Sequence, residues 1–250
     1  MIVRLDELDD MEFDPNFILD FPPPRSKSGA CLVTDVLPVQ LLFSGYMQGM
    51  FPWFCEDDGE PVVWYSPDPR FCLRMENLHV GRSIERFLKK TPYTYTMDRD
   101  FSAVIEECRK MNRKDQDGTW IGRKIIDSYT RLHEKGYAHS IEVWDGGELC
   151  GGFYGVLIGS VFFGESMFTL KPNSSKSAFV LFARAFEKCG GRMIDCQVYT
   201  DNMARYGASN ISRTAFLRLE KEMLHENLKG DLKETFESLS ESVKSVGNMV

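Results

Sequence analysis

Apolar and polar residues alternate most regularly between residues 138 and 197. Glycine-containing turns at residues 145–147 and 159–160 divide the first part of this stretch into three β-rich runs. Alternation bounded by such turns predicts an antiparallel meander. The three predicted strands cover residues 140–144, 149–158 and 161–168.

A helix is predicted directly after the meander. Residues 172–175 (PNSS) are typical of a helix start, and Ala178, Phe182 and Phe186 recur with a spacing of four. A glycine pair ends this segment, and residues 193–199 then predict another buried strand. Strands backed by a helix in this order predict an α+β layer.

Further amphipathic segments with a period near 3.6 lie on either side of this layer. Those before it occur at residues 41–50, 83–89, 101–111 and 120–135. The tail after residue 224 places Leu228, Leu232, Phe236 and Leu239 among charged residues, so we expect an added helix there.

Polar residues interrupt two of the core-like strands. Glu165 lies between Phe163 and Met167, which are its neighbours on the same face of a strand. Asp195 and Gln197 share one face of the next predicted strand. An unpaired carboxylate in such a position costs several kcal/mol. These residues therefore form either a structural ion pair, a solvent-exposed strand end, or a functional site.

Seven motifs, taken in chain order, give the sequence a recognisable pattern. They are MQGMFPWF (47–54), WYSPDPR (64–70), GTWI (118–121), LHEKGYAHSIEVW (132–144), GGFYGVLIGSVFFGESMF (151–168), SSK (174–176) and IDCQ (194–197). One of these motifs alone would be weak evidence, but their joint order resembles the bacterial leucyl/phenylalanyl-tRNA–protein transferase family over roughly residues 43–217.

The resemblance implies both a fold and a reaction. The expected fold is α+β, with a small N-terminal domain (1–70) that includes an acidic leader. A GNAT-like acyltransferase domain (71–250) follows, with a mixed, mostly antiparallel sheet flanked by helices and a C-terminal helical tail. The implied reaction transfers Leu or Phe, and Met weakly, from aminoacyl-tRNA to the N-terminal α-amino group of proteins that begin with Arg or Lys. This modification would mark those proteins for N-degron proteolysis.

The same resemblance implies roles for individual residues. Asp195 and Gln197 would orient the acceptor amine and assist its deprotonation, and Glu165 would help to hold the substrate end. Whether a carboxylate or the ribose hydroxyl of the tRNA takes the proton stays open. The residues expected to form the donor adenosine and side-chain pockets are Trp53, Trp120, Phe153, Phe182 and Phe186. Phe182 and Phe186 are equally suited to packing between helix and sheet.

The net charge of −7 argues against nucleic acid only until its distribution is considered. Residues 1–20 contain seven acidic residues and one basic residue, whereas residues 81–124 contain eleven basic and seven acidic residues. One helical face in this basic segment carries Arg109, Lys110, Arg113 and Lys114. Such a face is either simply solvated or, as the resemblance implies, a contact for the tRNA backbone.

Cysteine usage and composition limit the other function classes. The seven cysteines include no CxxC pair, which favours reduced thiols in a cytoplasmic protein over disulfides or zinc. No uncharged apolar run is long enough to span a membrane. Because an aminoacyl ester is already activated, we expect no cofactor and no metal. We expect a monomer.

Two alternatives remain open at the level of the sequence. The first is a CoA-dependent GNAT-type N-acetyltransferase, although no convincing pyrophosphate-binding loop precedes a helix. The second is a non-catalytic RNA-binding module, which would leave the polar strand residues unexplained. The chain also departs from the family pattern at residues 202–206 and, with a Phe in place of the usual Met, at Phe153. The first departure falls in the region that shapes the acceptor side in the family.

Overall fold

The computed structural model describes residues 8, 11–24, 26–53, 60–111 and 121–247. Within these ranges the strands are β1 (Ala30–Thr34), β2 (Phe51–Trp53), β3 (Val62–Tyr65), β4 (Arg70–Arg74), β5 (Thr94–Met97), β6 (Ala138–Asp145), β7 (Glu148–Ile158), β8 (Val161–Thr169), β9 (Met193–Asp195) and β10 (Ser209–Ile211). The helices are α1 (Val39–Tyr46), α2 (Arg82–Leu88), α3 (Phe101–Lys110), α4 (Arg123–Glu134), α5 (Ser174–Lys188), α6 (Asp201–Ala204), α7 (Arg213–Met223) and α8 (Leu232–Gly247).

The predicted meander forms the centre of a seven-stranded sheet with the order β10-β4-β9-β8-β7-β6-β5. Ile141, Phe153 and Met167 lie opposite one another across β6, β7 and β8, so the register places apolar residues together on one face. Neighbouring strands are antiparallel except β8 and β9, which are parallel. This connection needs the crossover that α5 provides.

Helices cover both faces of the large sheet, which confirms the α+β prediction. Phe162 of β8 packs against Phe182 of α5, with ring centroids 4.5 Å apart, and α2 and α8 contact α5 on the same side. On the other face, Tyr154 of β7 contacts Phe101 of α3 and Tyr129 of α4. Two apolar layers therefore enclose the sheet.

The N-terminal part contains the three-stranded sheet β1-β3-β2 and helix α1. Residues 14–21 run along α1 and the turn that follows it, and side chains at intervals of four in these two segments bind their backbone. Gln40 Oε1 accepts from the N–H of residue 14 at 3.0 Å, Ser44 Oγ from that of residue 19 at 3.0 Å, and Gln48 Oε1 from that of residue 21 at 3.1 Å. This segment fixes α1 from its outer side and leaves Tyr46 directed towards the large sheet.

The strand predicted over residues 193–199 is shorter than expected. β9 ends at Asp195, and Gln197 adopts φ 62°, although residues 196 and 197 still hydrogen-bond to the backbone of Phe71 in β4. β4 lies inside the large sheet, between β9 and β10. Sequence alternation does not show either feature, because both depend on pairing with distant strands.

The helix predicted in the C-terminal tail is confirmed as α8. Leu232 and Phe236 are buried in the apolar layer that includes α5. The N–H of Lys229 donates to the carbonyl of Cys189 at 2.8 Å, which fixes the approach to α8 at the end of α5. No helix in the described ranges has the length and apolar character needed to cross a bilayer.

Candidate active site

A cavity of about 490 Å³ lies where the parallel strands β8 and β9 separate. Val161 to Phe163 of β8 pair with Met193 to Asp195 of β9, and the pairing then stops. β8 continues for six more residues whereas β9 has ended. The gap is lined by side chains from both strands, from α5 and from β2.

A β-bulge in β8 places Glu165 in the lining of this cavity. Tyr154 pairs with Ser166 and Gly155 with Gly164, so Glu165 has no partner across the β7–β8 ladder. An extra residue of this kind bends the strand and redirects its side chain. The sequence identified Glu165 as an anomalous carboxylate, but strict alternation cannot indicate a bulge.

Glu165 accepts three side-chain hydrogen bonds. Its Oε1 accepts from Tyr46 Oη at 2.7 Å and from Gln197 Nε2 at 2.7 Å. Its Oε2 accepts from Tyr129 Oη at 2.9 Å, and the two tyrosine hydroxyls also hydrogen-bond to each other. Sequence reasoning assigned no role to either tyrosine. The available signal was a hydroxyl within an otherwise apolar stripe.

Burial raises the pKa of Glu165 to about 7, although the hydrogen bonds from Tyr46 and Tyr129 oppose this rise. The side chain is part of the cavity wall, and the residue is only 9% exposed. An ordinary glutamate has a pKa near 4.3 and holds almost no proton at neutral pH. Glu165 can therefore both accept and release a proton near pH 7, which suits general acid–base chemistry.

Asp195 is fully buried in a bidentate pair with Arg70. Arg70 Nε donates to Oδ1 at 2.9 Å, and Nη2 donates to Oδ2 at 2.5 Å. This geometry matches the ion-pair interpretation of Asp195 that the sequence had left open. Any part that Asp195 plays in deprotonation must therefore act through the groups it orients.

Gln197 is the main group that Asp195 orients. Its N–H donates to Asp195 Oδ1 at 2.9 Å, and its side chain donates to Glu165. Gln197 has a left-handed backbone conformation, which costs about 1–3 kcal/mol at a non-glycine residue and so requires support from its surroundings. The structure thus brings the three predicted residues Glu165, Asp195 and Gln197 into one hydrogen-bond network.

Arg70 joins this network to the rest of the protein, and sequence reasoning gave it no role beyond the end of the WYSPDPR motif. Its guanidinium lies between the rings of Phe51 and Phe216, at 4.7 Å and 4.4 Å from their centroids. Nη1 donates to the carbonyl of Gly49 at 3.2 Å. Burial would lower the pKa of Arg70, but the charge of Asp195 and their hydrogen bonds raise it, so the pair is ionic.

Glu220 on α7 is a second carboxyl close to this pair. It is 2% exposed, and its Oε1 has no hydrogen-bond partner in the part of the chain that the structure describes. Burial raises the pKa of Glu220 well above its ordinary value. The charge of Arg70 opposes this rise, and the charge of Asp195 adds to it.

The aromatic residues predicted for the pockets fall into two groups. Trp53 and Phe153 line the cavity. Phe182 and Phe186 do not: both are fully buried and stack on each other with centroids 5.7 Å apart in the core between α5 and the sheet. From α5 it is Phe179 that reaches the cavity, because it lies on the helix face next to the β8–β9 gap.

The predicted tRNA contacts are only partly described. Trp120, Arg113 and Lys114 lie outside the described residues. At the end of α3 Lys110 is exposed and Arg109 is half-buried, with Arg109 4.0 Å from Glu106 and Lys110 2.7 Å from Glu107. Exposed pairs of this kind contribute little to stability, so both cations remain accessible to an anionic partner.

Cys196 also lines the cavity, next to Asp195. Burial raises the pKa of its thiol, and the charge of Asp195 raises it further. A nucleophilic cysteine needs a lowered pKa, so this environment does not suit covalent catalysis. The described ranges contain no group of three or more His, Cys, Asp or Glu residues arranged to hold a metal ion.

Comparison with known proteins gives consistent matches along most of the chain. The family models described as leucyl/phenylalanyl-tRNA protein transferase and as its N-terminal domain match residues 72–221 and 35–68. Proteins named leucyl/phenylalanyl-tRNA–protein transferase from Myxococcus xanthus and Escherichia coli O1:K1 are 48% and 46% identical to this chain. These alignments cover 79% and 81% of this chain and 84% and 86% of those proteins.

One solved structure, titled L-PGS from Bacillus licheniformis, superposes with a TM-score of 0.37 at 13% identity. The superposition covers 72% of this chain and 65% of that one. A similarity this weak supports no inference about fold or function.

Proposed function

The chain belongs to the leucyl/phenylalanyl-tRNA–protein transferase family and is an aminoacyltransferase, and we propose that it carries out transfer in the cavity between β8 and β9. The observation that carries this proposal is Glu165, a buried carboxyl with a pKa of about 7 in the cavity wall. The acceptor amine would lie beside Glu165 and Gln197, with the aminoacyl ester next to it.

The chemistry requires little beyond positioning and one proton acceptor. A protein α-amino group has a pKa of about 7.7–8.0, so on the order of a tenth is neutral at pH 7. Glu165 takes a proton from the ammonium form, and the neutral amine attacks the ester carbonyl. The carbon–oxygen bond of the ester breaks as the peptide bond forms, and the proton that the attacking nitrogen then loses goes to the departing ribose oxygen. Holding both reactants in one cavity supplies most of the remaining acceleration.

The ion pair of Asp195 and Arg70 orients this site rather than reacting in it. Asp195 holds the backbone of Gln197, whose side chain holds Glu165. Arg70 in turn fixes Asp195 and packs against Phe51, which also lines the cavity. These contacts keep the proton acceptor in place without contributing a second base.

The donor occupies the aromatic part of the cavity. Trp53, together with Trp120, stacks on the terminal adenosine, a contact that contributes about 1–3 kcal/mol. The transferred side chain lies among apolar residues of the cavity wall. Those residues are Phe153, Met167, Phe179, Ile194 and Met203. Phe182 and Phe186 support this wall from behind.

Several finer features of the protein belong to the same proposal. Acceptors begin with Arg or Lys, as the resemblance implies, and their modification marks them for N-degron proteolysis. The domain division falls at residue 70, which is supported by the gap between the two matched family models. The parallel pair β8–β9, which separates at a bulge, supports a GNAT-like arrangement of the larger domain. The protein acts as a cytoplasmic monomer.

The direct test is transfer of labelled leucine from Leu-tRNA to peptides that differ only at the N-terminus. A peptide beginning with Arg should gain the label at its α-amino group, and an acetylated copy should not. Acetyl-CoA should neither bind nor acetylate the same peptide. Labelling of the acetylated copy, or acetylation from acetyl-CoA alone, would contradict the proposal.

The cavity predicts an order of preference among donors. Apolar walls discriminate by about 1–3 kcal/mol per methylene, so molecules of similar shape are separated only partly. We expect Leu and Phe to be preferred and Met to be a measurable minor donor, because its unbranched chain adapts to the cavity. Val and Ile should be poor, because β-branching restricts χ1. Initial rates with the five charged tRNAs test this order, and equal rates for Ile and Leu would contradict it.

The basic segment predicts a salt-sensitive complex with the donor tRNA. Reversing the charges of Arg113 and Lys114 should weaken tRNA binding and reduce the slope of log affinity against log salt by about one unit per lost phosphate contact. Charge reversal at Lys229 and Lys233, exposed residues near the C-terminal helix, serves as the control and should leave the slope unchanged. A slope that is identical in both variants would show that the basic face is only solvated.

A further inference from the structure

Three oxygen-to-oxygen contacts connect Glu165, Tyr46 and Tyr129 in a closed ring. Tyr46 Oη lies 2.7 Å from Glu165 Oε1, and Tyr129 Oη lies 2.9 Å from Oε2. The hydrogen bond between the two hydroxyls closes the ring. Both tyrosines are fully buried, so neither hydroxyl is open to solvent, whereas Glu165 also faces the cavity.

The number of protons in the ring depends on the state of Glu165. Each of the three contacts needs one proton between its oxygens, and the two phenols supply two. Burial raises the pKa of both phenols well above 10, so neither loses its proton near neutral pH. If Glu165 is ionised, both hydroxyls donate to it and their own contact lacks a proton. If Glu165 is protonated, all three contacts are hydrogen bonds.

We propose that Tyr46 and Tyr129 are positioning residues that form a complete hydrogen-bond ring around the proton that Glu165 takes from the acceptor amine. The proposal rests on the role given to Glu165 above. When the amine N–H bond breaks, the proton forms an O–H bond on Glu165, and the hydroxyl of one tyrosine turns from Glu165 to the other tyrosine. The ring thus stabilises the state that follows deprotonation.

Other groups facing Glu165 do not account for this preference. Gln197 donates to Oε1 and so favours the ionised form. Asp195 raises the pKa of Glu165 and Arg70 lowers it, and the two are paired with each other. From β7, Tyr154 packs against Tyr129 without a hydrogen bond to Glu165. Replacing Tyr46 or Tyr129 by Phe therefore removes a hydroxyl of the ring and leaves the other groups around Glu165 in place.

The sign of a pH shift separates this proposal from the ordinary effect of a hydrogen-bond donor. Counted singly, each tyrosine hydroxyl is a donor to the ionised carboxylate and lowers the pKa of Glu165, so removing one should raise that pKa. In the ring, loss of one hydroxyl has the opposite effect. It removes two of the three hydrogen bonds that the ring holds when Glu165 is protonated, but only one of the two that it holds when Glu165 is ionised. We expect Tyr129→Phe and Tyr46→Phe each to move the pKa of Glu165 down by about one unit.

Two measurements on the full-length protein test this expectation. The first is the pH dependence of kcat/KM on its acid side. The free acceptor amine has the same pKa in every experiment, so a shift of this limb between variants reports a change in the pKa of Glu165. The second is carboxyl NMR of glutamate-labelled protein without substrate, with the Glu165 signal assigned by its loss in Glu165→Gln. Tyr95→Phe removes a buried hydroxyl that bonds Ser177 on the other face of the sheet. This control should lower stability without moving either titration.

Each outcome distinguishes the ring from the proposed function. A downward shift in both phenylalanine variants, seen by NMR, supports the ring. An upward shift or an unchanged titration overturns it, whatever the effect on rate. If Glu165→Gln transfers as fast as wild type, the role of Glu165 as proton acceptor fails, while the NMR titration still decides whether the ring favours its protonated form.

Discussion

Replacing Glu165 by Gln should lower kcat/KM for transfer about 10²- to 10⁴-fold, the range expected when a general base is removed. The substitution keeps the shape of the side chain but leaves no group in the cavity wall that accepts a proton near pH 7. Binding of the donor tRNA should be nearly unchanged, because the aromatic wall and the basic segment remain. Single-turnover rates and tRNA affinities measured on the same preparation give both quantities.

Stability provides the control for this substitution. The pKa of Glu165 is raised, so the buried carboxyl costs nothing below its unfolded pKa; stability is lost as pH rises from there to about 7, and the full cost is present above that pH. Glu165→Gln should therefore be at least as stable as wild type at pH 8. Glu187→Gln, at an exposed position on α5, should change neither rate nor stability. A slow variant that also unfolds at pH 8 would instead indicate a structural role for Glu165.

Replacing Arg70 by Met should lower the free energy of unfolding by about 3–5 kcal/mol, because it leaves Asp195 buried without its partner. For a protein of this size that corresponds to a fall in Tm of roughly 10 °C. The exposed pair Arg192–Glu226 offers a matched control, since Arg192→Met should cost less than about 1 kcal/mol. A Tm unchanged by Arg70→Met would contradict the ion-pair assignment.

A double substitution separates stability from function at this position. Arg70→Met with Asp195→Leu replaces the buried pair by apolar groups, a change that is often neutral or stabilising. We expect the Tm to recover towards that of wild type. Transfer should still be reduced about tenfold or more, because Gln197 loses the acceptor for its N–H and no longer holds Glu165 accurately. Full recovery of transfer would show that Asp195 does not position the site.

Local sequence patterns predicted the elements that build the site. The glycine turns defined the meander, and the spacing of apolar residues defined α5 and α8. The anomalous carboxylates Glu165 and Asp195 were visible because each interrupts an apolar strand. These features depend on residues close together in the chain, and so they can be identified without a structure.

Features that depend on distant contacts could not be predicted. The bulge at Glu165 and the end of β9 arise from pairing with neighbouring strands. Tyr46 and Arg70 are 119 and 125 residues away from the carboxylates they contact. The spacing on α5 identified an apolar face, but it did not show that Phe179 lines the cavity while Phe182 and Phe186 fill the core.

The central claim is that Glu165 accepts the proton of the acceptor amine. It is tested most directly with two peptides beginning with Arg, one with its normal α-amino group and one with an aminooxy group in its place. The aminooxy group is already neutral at pH 7, where Glu165 is partly ionised and most of the amine is still protonated. The ratio of wild-type to Glu165→Gln transfer rates should be at least about tenfold smaller with the aminooxy peptide. An equal ratio for both peptides would contradict the claim.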